Sequence, residues 1–210
     1  MLAIAGGKGG VGKTTTTLGL AAALPDRPLV VDADRDMPDL HALARVPRSN
    51  EDPTDDPPLA ADHGCRVLPV PNGELPPAAE RLAAVRADWE ADGAPARSTV
   101  LVDTPAGAGI DAATPLRAAD GAVLVSTACA PALRNAAKTA AMARAVDTPV
   151  VGAVLTRTAV RPPNAAELLG CPVLAAVPRV DGRPLDARRV RERYERAATA
   201  LRDRADVVPG

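Results

Sequence analysis

Aromatic side chains are nearly missing from this chain: among 210 residues there is no phenylalanine, one tyrosine (Tyr194) and one tryptophan (Trp89). Hydrophobic residues still make up 47%. The core must therefore be built from Ala, Val and Leu, which suits buried parallel strands covered by alanine-rich helices. Long apolar runs are lacking too. No stretch approaches the ~18 apolar residues of a spanning helix, which excludes a helical membrane protein. Met1-Leu2-Ala3-Ile4-Ala5 has no basic stretch ahead of a long apolar run, so no signal peptide is expected, and the expected location is cytoplasmic.

Cysteine is scarce. Cys65, Cys129 and Cys171 stand far apart with no CxxC pair, as expected of small buried residues in a reducing compartment. Lysine is also scarce. Only Lys8, Lys13 and Lys138 occur among 25 basic residues, and two of these fall within six residues of each other in a glycine loop. In a chain that otherwise uses arginine, that placement asks for a reason. The formal net charge of −1 argues neither for nor against a nucleic-acid partner.

What is present alternates. Short apolar runs at 2–5, 29–32, 66–70, 99–103, 122–126, 150–155 and 173–177 read as strands. Alanine-rich stretches at 14–24, 77–91, 115–119, 132–145, 164–169 and 185–203 read as helices. Strands separated by helices imply βαβ units. The expected fold is a single α/β domain over 1–210: three layers, with a mostly parallel, roughly seven-stranded sheet and helices on both faces. A Pro/Asp-rich stretch at about 47–63 breaks the rhythm and reads as an exposed loop.

The first strand runs into Gly6-Gly7-Lys8-Gly9-Gly10-Val11-Gly12-Lys13-Thr14-Thr15. Gly7 to Thr14 spells the phosphate-loop pattern GxxxxGK[ST], in the strand–loop–helix context that pattern requires. Glycines let main-chain N–H groups curl around phosphate oxygens, and the helix starting near Lys13 adds its positive end. Lys13 is a compact charge for β- and γ-phosphates, and Thr14 offers a hydroxyl to Mg²⁺.

Two carboxylate clusters follow strands. Val31-Asp32-Ala33-Asp34-Arg35-Asp36-Met37-Pro38-Asp39 comes after the second strand, where an open α/β sheet holds its ligands. Asp36 and Asp39 read as capping or solvated groups. Val100-Leu101-Val102-Asp103-Thr104-Pro105-Ala106-Gly107 is a Walker B arrangement, with Asp103 placed to hold Mg²⁺ through water.

The string Lys8-Gly9-Gly10-Val11-Gly12-Lys13-Thr14-Thr15, together with DxD at 32–34 and DTPAG at 103–107, resembles the deviant Walker A ATPases of the MinD/ParA group. The resemblance covers nearly the whole chain. It implies ATP and Mg²⁺ as cofactors, ATP hydrolysis, and an ATP-dependent homodimer in which Lys8 reaches the partner's nucleotide. It further implies that Asp34 positions the attacking water, that Asp32 lies near the Mg²⁺ and that Gly107 senses the γ-phosphate. The nucleotide contacts implied are Gly7 to Thr15, with Thr156 and Arg157 at the end of the sixth expected strand and Pro178 after the seventh. Thr156 stands where the family often has Asn, and Cys129 where MinD-type sequences commonly have Glu.

An ATP-controlled switch with a protein activator or cargo, used in spatial positioning or partitioning, is the leading expectation. A metabolic ligase or amidotransferase on the same scaffold would not need Lys8. A Mrp-like iron–sulfur carrier would want the CxxC that is lacking. Between Arg179 and Arg204 nine arginines face five acids, which admits a non-specific DNA patch, although a solvated face of Glu–Arg pairs is the expected reading. Leu185, Val190, Tyr194, Ala197 and Leu201 recur at helical spacing and read as core packing. The tail at 206–210 reads as too blunt for a lipid anchor, so membrane attachment is not expected.

Overall fold

Each expected strand forms because it is an uninterrupted apolar run that can be buried on both faces, the requirement of a parallel sheet. In a computed structural model, which describes residues 1–91, 99–107 and 109–205, the strands are β1 Leu2–Ala5, β2 Leu29–Asp32, β3 Leu59–Ala60, β4 Cys65–Leu68, β5 Val100–Asp103, β6 Gly121–Thr127, β7 Val150–Thr156 and β8 Val173–Val177. The helices are α1 Lys13–Ala23, α2 Leu40–Ala44, α3 Ala78–Ala91, α4 Ile110–Ala118, α5 Ala130–Ala145, α6 Ala165–Leu169 and α7 Arg188–Ala205. The expected reading of the tail at 206–210 lies outside the described residues.

The sheet has eight strands in the order β3-β4-β2-β5-β1-β6-β7-β8. All neighbours are parallel except β3, which runs antiparallel to β4. One buried cluster joins the sheet to α1, α2 and α7. Three others join it to α3, α4, α5 and α6 on the opposite face. The result is three layers. On α7, Val190, Tyr194, Ala197 and Leu201 are buried in that first cluster, so its apolar stripe faces the core as expected.

The mostly parallel sheet of roughly seven strands is found, at eight, and two other expectations are corrected. The sheet has eight strands, because the Pro/Asp-rich segment contributes β3 at the edge. That segment is no free loop: Pro57 and Ala60 are buried and Asp52 pairs with the buried Arg81. Helix α4 starts at Ile110, not at Pro115, and accommodates Pro115 internally. A proline there removes one backbone donor.

The order places β1 between β5 and β6. Chain connections diverge on either side of it, so a crevice opens beyond its carboxyl end. Register sets Asp103 beside Ile4 and Asp32 beside Asp103. The glycine loop and both carboxylate clusters therefore meet at the carboxyl ends of the sheet's middle strands.

Candidate functional site

The loop after β1 is shaped by its glycines in two ways. At Gly6 and Gly7 the constraint is space: a Cβ would lie 2.8 Å from the Val125 carbonyl oxygen and 2.3 Å from that of Asn135. At Gly10 and Gly12 it is conformation, with φ of +71° and +92°, the left-handed region that side chains resist. A Cβ at Gly9 or Gly10 would meet nothing within 4 Å, so this side of the loop is open to a ligand. Val11 is buried beneath the loop. Lys13 opens α1 and is 8% exposed, and its charge lies near Asp103.

Struts from two strand ends, those of β7 and β5, fix the loop and the end of β1. Thr156 Oγ1 donates to the Val11 carbonyl at 2.6 Å, and Arg157 Nη2 to that of Gly10 at 2.7 Å. Arg157 itself adopts φ of +55°, a conformation that costs roughly 1 kcal/mol or more for a residue of its type. From the other side the Gly107 N–H donates to Gly6 at 3.3 Å, and Thr104 Oγ1 to Ile4 at 3.0 Å. The hydroxyl of Thr156 is thus engaged with the main chain, and Gly107 touches the first residue of the loop.

The carboxylates lie against this loop. Asp103 is 2% exposed and accepts a bond from Thr17 Oγ1 at 3.2 Å. Burial pushes its pKa up to about 6, against the pull of the Thr14 hydroxyl, the Lys13 ammonium and the Thr17 hydroxyl. Asp32 is 1% exposed. Its Oδ1 accepts the Asp34 N–H at 3.1 Å, while its buried Oδ2 has no partner. Burial first, and then the Asp103 carboxylate, raise the Asp32 pKa to about 8.

An orphaned buried oxygen beside a second carboxylate is costly unless a cation joins it. The donors are all oxygens: two carboxylates and the hydroxyls of Thr14 and Thr17. Such a set fits Mg²⁺, which prefers few protein ligands together with phosphate and water. No group of three or more His, Cys, Asp or Glu that could hold a metal occurs among the described residues. A softer, fully protein-ligated metal is therefore not what this arrangement suits. Cys65 and Cys171 are buried as expected, whereas Cys129, at the N-cap position of α5, is exposed and corrects that reading; they form no such group.

Asp34 is half-buried, and its Oδ1 accepts the Met37 N–H at 3.1 Å. Asp36 and Asp39 are exposed. Asp39 occupies the N-cap position of α2 without a side-chain cap bond. Lys8 is exposed on the outer rim of the loop.

A cavity of about 380 Å³ adjoins the loop, lined by Val11, Gly12, Thr15, Thr156, Arg157 and Pro178, with Val180 and Tyr194 behind. It brings together six of the residues expected at the nucleotide and leaves room for a planar base and a sugar. Sequence reasoning missed Thr17, one helical turn beyond Lys13, whose position alone signals its reach to Asp103. It also missed Arg81, for which an alanine-rich helix offers no signal. Tyr194 was read as core. It is core, but it also walls the cavity and its hydroxyl meets Thr16 Oγ1 at 3.2 Å.

The family profile of the CbiA, or CobQ/CobB/MinD/ParA nucleotide binding, domain matches residues 2–185. No curated protein matches the chain in sequence. Among solved structures it is similar to the septum site-determining protein MinD complexed with Mg-ADP from Pyrococcus horikoshii. That likeness has a TM-score of 0.80 at 21% identity, over 98% of this chain and 97% of that one. It is also similar to a chain of the MinC:MinD cell division protein complex of Aquifex aeolicus, with a TM-score of 0.78 at 18% identity over 100% and 97% of the chains. A single-site variant of Cyanothece McdA in complex with ATP gives 0.70 at 16% identity, over 100% and 97%. With its glycine loop, its paired carboxylates and this fold, the chain belongs to the CobQ/CobB/MinD/ParA family of P-loop nucleotide-binding domains.

Proposed function

We propose that the chain is a MinD/ParA-like ATPase that dimerises with ATP and separates after hydrolysis. The observation that carries this reading is the meeting of Lys13, Asp32 and Asp103 under an open glycine loop, with Lys8 left exposed on its rim. Main-chain N–H groups of residues 7–15 cradle the phosphates, and Lys13 neutralises the β- and γ-phosphates. Thr15, Thr156, Arg157 and Pro178 line the space for the nucleoside. Thr14, Asp32 and Asp103 hold Mg²⁺, which when bound offsets phosphate charge.

In the reaction, the half-buried Asp34 orients a water against the γ-phosphorus, the bond to the β–γ bridging oxygen breaks, and ADP and phosphate leave. Positioning and charge stabilisation supply most of such catalysis. Gly107, bonded to the loop's first residue, responds to the γ-phosphate in this reading. Lys8 extends to a second subunit's nucleotide, so only the triphosphate state favours the dimer.

The structural likeness to septum-site MinD, to a chain of the MinC:MinD complex and to McdA supports a role in spatial positioning with a protein activator or cargo. In this reading the chain works in the cytoplasm. The outward arginines of α7 leave non-specific DNA as a candidate surface, whereas the burial of its apolar stripe speaks against lipid attachment.

Light scattering coupled to size exclusion tests the switch. With ADP the protein should elute at its 21.4 kDa chain mass. With Mg²⁺ and a non-hydrolysable ATP analogue it should elute at twice that. Lys8→Ala should bind the analogue and stay monomeric. A wild-type monomer in both states would refute dimerisation, and a normal dimer of Lys8→Ala would refute the role of that lysine.

A further inference from the structure

Arg81, near the start of α3, is a cation only 6% exposed. Its guanidinium is used on every side. Nε and Nη2 bond the two carboxylate oxygens of Asp52 at 2.7 and 3.0 Å. Nη1 donates to the main-chain oxygen of Asp32 at 2.8 Å, and Nη2 also to that of Pro69 at 2.8 Å. One side chain thus ties together the end of β2, the exit from β4 and the acidic Pro-rich segment.

Burying an arginine costs free energy that pairing only offsets, and an apolar residue of similar volume often serves packing as well. Its place here is better accounted for by what it touches. Arg81 pins the main chain of Asp32, and Asp32 Oδ1 in turn accepts the Asp34 N–H at 3.1 Å. The anchor therefore sets both the direction of the partnerless Asp32 Oδ2 and the course of the backbone that carries Asp34.

The segment holding Asp52 is itself stitched down. Arg48 donates to the carbonyls of Val70 and Pro71 at 2.8 and 3.0 Å, and the Asn72 N–H to Ser49 at 2.8 Å. Gly73 passes so close to Asn50 that a Cβ would lie 2.3 Å from its carbonyl oxygen.

We infer that Arg81 is a positioning residue for the metal-side carboxylate Asp32, and that Asp52, by clamping the guanidinium, makes docking of the acidic segment a condition of a well-formed metal site. The inference rests on the reading of Asp32 and Asp103 as the Mg²⁺-side pair. Partners that orient metal ligands commonly matter about tenfold or more to metal affinity.

The test is the Mg²⁺ dependence of binding of a fluorescent ADP analogue, alongside binding in EDTA and thermal melting. Asp52→Asn and Arg81→Lys should raise the half-saturating Mg²⁺ concentration about tenfold while leaving affinity in EDTA unchanged. Asp52→Glu, which keeps the carboxylate, should restore most of the loss. An unchanged Mg²⁺ midpoint in Asp52→Asn overturns the inference. So does an equal loss of affinity in EDTA, the mark of a general structural role. Absence of any Mg²⁺ dependence in the wild type would instead sink the parent reading of the two aspartates, and this inference with it.

Discussion

Asp32 concentrates the chemistry of the site in one side chain. It is buried, it faces a second carboxylate in register, and one of its oxygens has no partner. Burial, and then Asp103, raise its pKa to about 8 from 3.8. A carboxyl whose pKa is higher folded than unfolded holds a proton that the unfolded chain has already released. Ligand-free protein should therefore lose stability as pH rises through the window from about 4 to about 8, and level off above it. Asp103, raised to about 6, adds to the lower half of that window. Thermal melting between about pH 5 and pH 8.5 should show the midpoint falling, and Asp32→Asn should flatten the fall. A wild-type profile that is flat, or identical to that of the variant, would show that Asp32 carries no such strain.

Helix α1 shows how an element carries the site. It presents Lys13, Thr14 and Thr17 at its start and meets α7 further along, where the Tyr194 ring lies against Gly19. A Cβ on Gly19 would stand 2.4 Å from Tyr194 Cδ2 and Cε2. Helix propensity alone says that Gly19→Ala should stabilise by about 1 kcal/mol. Overpacking a buried contact costs about 1–3 kcal/mol, and the clash here is with a rigid ring. Denaturant unfolding should show Gly19→Ala to be the less stable protein. A gain of about 1 kcal/mol would mean that the helices part freely.

The same scale decides what was legible beforehand. Seven strands and the longer helices announce themselves as apolar runs and alanine-rich periods, and the loop and the carboxylates Asp32 and Asp103 as motifs at strand ends. Elements β3 and α2 do not: β3 is two residues long, and α2 is a five-residue turn directly after the Asp- and Pro-containing run at 34–39. Their existence depends on neighbours: β3 on the edge of β4, and α2 on the burial of Leu40 and Ala44. The Arg81–Asp52 pair spans 29 residues, and no local pattern marks an arginine that the fold will bury. Pro115 misled in the other direction, since a helix-breaking residue sits within a helix whose packing outweighs one lost bond.

At the scale of the whole molecule, the strand order brings β1, β2 and β5 side by side, and with them a phosphate-shaped loop, a lysine and two aspartates from distant parts of the chain. Helix α1 connects this site to α7, and Arg81 of α3 connects it to the acidic segment. Everything assigned to the molecule depends on whether that meeting point takes up a nucleotide triphosphate. Titration calorimetry with Mg-ATP on wild type and on Lys13→Ala asks this directly. Wild type should bind one ATP per chain, and the variant, with its ammonium removed from the phosphates, should bind at least about 100-fold more weakly, as loss of roughly 3 kcal/mol implies. Equal affinity in the two proteins, or no binding by the wild type, would contradict the account.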